Sequence, residues 1–210
     1  IILMSFVSIT LMVKFSVQYT KEKMMPMALI EALDNYFKEK KIKEAVDLCK
    51  TSDTVLARIV GSALGEIRSG YSEMEKVMEE VTEEESVKMN QDLSWLSLIG
   101  AIAPMLGLLG TVLGMVGAFA QIAAAGGQPK PADLAENIQL ALITTCEGLI
   151  VAVPTLVGYA IFRNRVIKLL LEIGVAATSL IGRFKNMKIT PAMVAGAEQV
   201  AVAVAGEQLP

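Results

Sequence analysis

Apolar and polar positions divide the chain into three charge-poor apolar runs, with a stretch between the first two in which apolar residues return every three or four positions. Ile1 to Val13 (IILMSFVSITLMV) is apolar but shorter than the about 20 residues a membrane crossing needs. It opens without methionine, and the expectation is that the chain starts inside a first membrane helix covering 1–17. A signal peptide fits less well, because no basic segment precedes the run and no small-residue cleavage site follows it. Gly100 to Phe119 (GAIAPMLGLLGTVLGMVGAF) carries no charge at all. At about 1.5 Å per residue it can cross a hydrocarbon layer of about 30 Å. Ala141 to Phe162 (ALITTCEGLIVAVPTLVGYAIF) is the third run. The spans expected from these runs are 98–122 and 136–163, joined by a short loop over 123–135 in which Gly126-Gly127 and two prolines break the helix.

The region 18–97 reads as water-exposed helices. Met27, Ile30, Leu33, Tyr36 and Phe37 recur at steps of three and four, which predicts an amphipathic helix over Pro26 to Lys40. Lys41 to Lys50 predicts a second, and Thr54 to Ser69 a third, with Asp53 as its N-cap and Ser69-Gly70 as its stop. From Ser72 the helical pattern runs without interruption to Gly100, so one rod should enter the membrane as the second span. Its acidic run, Glu79, Glu80 and Glu83 to Glu85, is read as a solvated helix face, since adjacent carboxylates do not converge. Asp133 and Glu136 predict a capping box for the third span. That helix should continue past the membrane through Lys168 to Phe184, within an extension and tail at 164–210. Pro191 ends the pattern, and the Ala/Val-rich residues 192–210 have few anchors.

Composition supports a membrane protein: 53% of the 210 residues are hydrophobic, and mean hydropathy is +0.52. A net charge of -3 gives no basic footprint for nucleic acid, and the absence of histidine removes the commonest metal ligand and general base. Cys49 and Cys146 show no zinc spacing. No arrangement of nucleophile, base and orienting group suggests an enzyme, and no metal or cofactor is expected. Lys14, Lys21 and Lys23 follow the first run, and Arg163, Arg165 and Lys168 follow the third, whereas Gln121 to Leu140 holds only Lys130 as a basic residue. The positive-inside rule then predicts an N-terminus outside, a cytoplasmic 18–97 region and a cytoplasmic C-terminus.

Two features of the spans carry candidate chemistry. Ala103, Gly107, Thr111, Gly114 and Ala118 fall on one helix face, widened by Gly110 and Gly117. Small residues let membrane helices approach closely, so this face is a candidate contact surface. Glu147 stands in an apolar stretch with no basic residue between Lys130 and Arg163. An ionised group at the bilayer centre costs about 2.5 to 3.5 kcal/mol or more, so such residues face a bundle interior or water and mark ion paths. A protonated acid bonding a neighbouring helix is the alternative role. Thr144, one turn earlier, can share the face of Glu147, while Thr145, Gly148, Ala152 and Thr155 form a second stripe. One stripe would line a pore and the other a helix contact. Pro154 cannot donate the helical bond to Ile150 and favours a kink.

The strings PMLGLLGTVLGMVGAF and ALITTCEGLIVAVP resemble the paired membrane motifs of the MotA/TolQ/ExbB proton-channel family, approximately GLLGTVxGxxxAF and ALxxTxxGLxxAIP. The resemblance implies an all-α membrane protein with three transmembrane helices extended into a cytoplasmic helical bundle, assembled as a homopentamer around a central pore. It implies a channel or motor subunit of the inner membrane that works with an ExbD/TolR-like single-span protein and a TonB- or TolA-like envelope protein. By the same resemblance, Thr111 and Thr145 occupy positions of the family's ion path. The family's glutamate before ALxxT is replaced here by Leu140, and Glu147, about two turns later, is the candidate substitute. A TolQ-like envelope-maintenance subunit, a gliding motor and a non-conducting membrane scaffold are the alternatives.

Overall fold

The computed structural model describes residues 1–124 and 131–186. Every regular element among them is helical, in the order α1 (Ile2–Gln18), α2 (Lys21–Met24), α3 (Met27–Lys38), α4 (Ile42–Thr51), α5 (Val55–Gly65), α6 (Tyr71–Ala124) and α7 (Pro131–Ile181), closed by a 3-10 turn at Gly182–Asn186. The described residues divide into two compact units, one of 1–17 with 90–124 and 131–163, and one of 18–89 with 164–186.

In the first unit, α1 packs with the later part of α6 and the earlier part of α7. Its interior is built from small residues. Ala103, Ala118, Ala141 and Ala152 are buried, with Leu93 and Leu96 at the start of the α6 segment. Phe15 meets Phe162 edge to face, with centroids 6.1 Å apart. The large apolar side chains point outward instead: Leu108 is 61% exposed, Leu113 61%, Ile150 67% and Val153 60%. In water that arrangement would forfeit most of the burial energy, whereas lipid tails solvate these groups at no cost. The helices α6 and α7 are each long and apolar enough to cross a membrane, and α1 reaches that length only together with Lys21–Lys38.

The second unit has a conventional core. Its helices α3, α4 and α5 present Leu33 and Phe37, Ile42 and Val46, and Leu56, Ile59 and Leu64 to its interior, all buried. Phe37 packs edge to face against Phe184 at 5.2 Å between centroids. The thiol of Cys49 lies in this core, where burial pushes its pKa up to about 12. Ion pairs rim the unit: Asp34 accepts from Lys38 at 2.6 Å and also pairs with Arg183. Lys38 first, and then Arg183, hold the Asp34 carboxyl below its ordinary value against an opposing desolvation effect.

Several sequence expectations are corrected. The third helix of the 18–97 region is capped by Thr54, whose hydroxyl accepts from the Ala57 amide at 3.2 Å. Asp53 instead accepts from Arg58 at 2.7 Å. That helix stops at Gly65, short of Ser69-Gly70. Gly70, at φ +94, then begins the next rod in a conformation that side chains rarely adopt. Glu85 is not part of a solvated face: it is 4% exposed and held by Arg58 through two parallel bonds, Nε to Oε1 at 3.0 Å and Nη2 to Oε2 at 2.9 Å. The joined carboxylate and guanidinium satisfy a charge that burial would otherwise penalise. Of the long helices, α6 continues to Ala124 and α7 starts at Pro131. A proline suits that first helical position, and Asp133 therefore lies inside the helix rather than at its cap. Gly126-Gly127, Pro191 and 192–210 lie outside the described residues.

Candidate ion path and helix contact

The site grows from the two small-residue stripes, which meet where α6 and α7 pack. Gly107 and Gly148 make the closest approach. A Cβ on Gly148 would stand 2.6 Å from the Ala103 carbonyl oxygen, and one on Gly107 would stand 2.9 Å from the Thr144 carbonyl oxygen and 3.0 Å from Thr145 Cα. Backbone meets backbone here, so only glycine fits. Gly114 receives the Ala141 methyl, 2.7 Å from where its own Cβ would be, and Gly110 receives the Thr144 side chain. The Ala103–Ala118 stripe is thus an intrachain surface covered by α7, with Ala103 and Ala118 buried. Of the widening glycines, Gly117 has open space around it.

Close approach brings hydroxyls and carbonyls together. The hydroxyls of Thr111 and Thr145 are in contact. Thr145 Oγ1 donates to the Gly107 carbonyl at 3.1 Å, and Thr111 Oγ1 lies 3.2 Å from the Ala141 carbonyl and 3.3 Å from that of Gly107. Each hydroxyl has one proton, so at any moment one can donate to a carbonyl while the other donates to its neighbour's oxygen. The pair therefore has interchangeable donor orders. Thr144 Oγ1 bonds back to Ala141 at 2.7 Å within its own helix, with Gly107 O at 3.4 Å.

Thr144 and Glu147 do not share an environment. Thr144 is half-buried against α6, whereas Glu147 is exposed. Leu140, two turns before, is 60% exposed as well. Among the described residues Glu147 has no hydrogen bond and no ion pair within the chain. Pro154 is exposed and lies within the unbroken α7. Ala152 is buried. Thr155, one turn beyond, turns to α1: its hydroxyl meets that of Ser8 at 2.6 Å, both fully buried, and also donates to the Val151 carbonyl at 2.6 Å. Sequence reasoning passed over Ser8, although a hydroxyl inside an apolar run was a signal. It also passed over Pro104, which α6 carries inside its apolar segment. No group of three metal-ligating side chains occurs among the described residues.

A helical membrane protein, with two long apolar helices joined through glycine contacts and a hydroxyl pair, is the class that these features define. The chain belongs to the MotA/TolQ/ExbB proton channel family, whose model matches residues 49–174, more than half of it. It is 45% identical over 76 residues to the biopolymer transport protein exbB1 of Vibrio cholerae, covering 36% of this chain and 33% of that protein. It is 35% identical over 99 residues to the biopolymer transport protein ExbB of Xanthomonas campestris, covering 47% and 39%. With the protein of that name from Pseudomonas putida it shares 30% identity over 138 residues, covering 61% and 42%. The chain spans between about a third and two fifths of the length of these curated relatives. The family consists of channel and transport subunits rather than enzymes.

Proposed function

We propose that this chain is an ExbB-type subunit that passes protons across the bacterial inner membrane and turns their flow into work on the cell envelope. In this reading three spans (1–17, 98–122 and 136–163) continue into a cytoplasmic bundle, with the N-terminus periplasmic and the C-terminus cytoplasmic. Five copies enclose a central space occupied by the single-span helices of an ExbD/TolR-like partner. The partner's movement is handed to a TonB- or TolA-like envelope protein, energising TonB-dependent transport. Thr111 and Thr145 supply the exchangeable hydroxyl relay, and Glu147, in place of the acid absent at Leu140, supplies the proton-carrying group. One charge moving through 100 mV releases about 2.3 kcal/mol, enough to bias a mechanical step.

The observation that carries this reading is Glu147, an exposed carboxylate in the membrane-embedded part of α7 with no partner within the described chain. Facing lipid, such a group is expensive, so its surroundings must come from outside the chain: water, another copy or a partner helix. The test is proton flux into liposomes holding this protein and its single-span partner. Glu147→Gln and Thr145→Val should each lower flux at least tenfold while leaving the complex assembled. Unchanged flux in Glu147→Gln would remove this acid from the path, and absence of flux in the parent complex would leave a non-conducting scaffold as the better description.

A further inference from the structure

Where α7 leaves its apolar run, Arg165, Lys168, Leu169 and Glu172 recur at steps of three, one and three, one face of a helix. That face and the Tyr19–Lys21 segment, directly after α1, enclose a cleft within the second unit. Its floor is apolar in part, with Tyr19 1% and Leu169 7% exposed. Its rim is cationic. Lys21 Nζ is fixed to Glu172 Oε2 at 2.7 Å, and that lysine holds the Glu172 carboxyl below its ordinary value, with Lys168 contributing from its own turn. Among the described residues, Arg165 and Lys168 form no ion pair or hydrogen bond and are exposed. The cleft therefore carries three positive groups against one negative, with two cations uncommitted.

Cations at the end of a membrane span are ordinary when scattered around the helix. Here they converge on a recess whose floor is apolar and whose one carboxylate is already neutralised by Lys21. A phosphodiester with an acyl tail matches both halves, taking its charge from Arg165 and Lys168 and laying its glycerol end against Leu169. Arginine suits a phosphate in particular, since its planar fork presents paired donors.

We propose that this cleft is a binding site for the headgroup of an anionic phospholipid of the leaflet next to it. The proposal rests on α7 spanning a membrane and is independent of proton conduction. The full protein is reconstituted in nanodiscs of mixed phosphatidylglycerol and phosphatidylcholine, and retained lipid is measured by native mass spectrometry. Enrichment of phosphatidylglycerol is expected, and the Arg165→Gln/Lys168→Gln double variant should weaken that preference by about thirtyfold, since each basic group near an anionic surface contributes about fivefold. Glu172→Gln removes the opposing charge and should leave the preference intact or strengthened, which separates loss of the site from loss of folding. Retention in the double variant within about threefold of the parent would overturn the site. Displacement of the lipid by millimolar inorganic phosphate would overturn the lipid assignment in favour of a soluble anion. Proton flux does not enter either readout, so this site can fail while the conduction reading stands, and the reverse.

Discussion

Replacing Gly148 by alanine adds one methyl where α7 meets the backbone of α6, and the geometry fixes what it must do. The new Cβ would stand 2.6 Å from the Ala103 carbonyl oxygen, about 0.8 Å inside the 3.4 Å at which ordinary contact begins. No rotamer relieves an alanine and a carbonyl cannot turn aside within a helix, so the helices must separate. Overpacking of this kind costs about 1 to 3 kcal/mol. Separation by that amount also stretches the Thr145 bond to Gly107 from 3.1 Å beyond hydrogen-bonding range, adding about 0.6 kcal/mol, the mean for such bonds between membrane helices. The expected loss is about 1.6 to 3.6 kcal/mol, measured by reversible unfolding in bicelles. Gly117→Ala is the control: its Cβ meets nothing within 4 Å, and its effect should stay within about 0.5 kcal/mol or be stabilising through helix propensity. Gly158→Ala is intermediate, because its 2.8 Å neighbour is the Met12 sulfur at the end of a flexible side chain. Equal stability of Gly148→Ala and Gly117→Ala would refute the claim that this contact is what joins α6 to α7.

Other expectations follow from the second unit. Arg58→Ala removes both close bonds to the buried Glu85 carboxylate and leaves it only Lys88 Nζ at 3.6 Å; with Arg58 itself partly exposed, the cost should be about 2 kcal/mol, while Lys21→Ala, which breaks an exposed pair, should cost under about 1 kcal/mol in the same thermal denaturation series. The pKa of Asp34 is depressed in the folded protein, so its contribution is present above the ordinary value of 3.8 and is lost as pH falls through the folded value. The parent and Asp34→Asn should therefore differ in Tm at pH 7 and converge in acid; a constant difference down to pH 3 would contradict the pairing with Lys38 and Arg183. The Cys49 thiol, with its pKa near 12 and its side chain buried, should resist maleimide at pH 7.5 until the protein is denatured, as followed by mass spectrometry.

What could be read from the sequence was whatever repeats along one helix. The steps of three and four in 26–40 gave an amphipathic helix, and the Ala103 to Ala118 stripe gave a contact face whose partner helix was not specified. What escaped depended on residues far apart in the chain. Glu85 looks like its acidic neighbours until Arg58, 27 positions away, is brought beside it. Asp53 and Thr54 are both good caps by type; the helix takes Thr54, while Asp53 pairs with Arg58. The Thr144–Glu147 spacing suggested a shared face, yet one turn of α7 is not a whole number of residues, and the offset is enough to put one against α6 and leave the other exposed.

The Ser8–Thr155 pair has a consequence for how α1 is held. Apart from Phe15, Ser8 is the only residue of that helix buried within the first unit, and its neighbours are apolar groups that lipid would accept in any orientation. Turning α1 by one residue, about 100°, would bring a methyl group to Thr155 and carry the serine oxygen into hydrocarbon. Two small oxygens thus act as an index mark that, together with the Phe15 ring, sets the azimuth of an otherwise greasy helix.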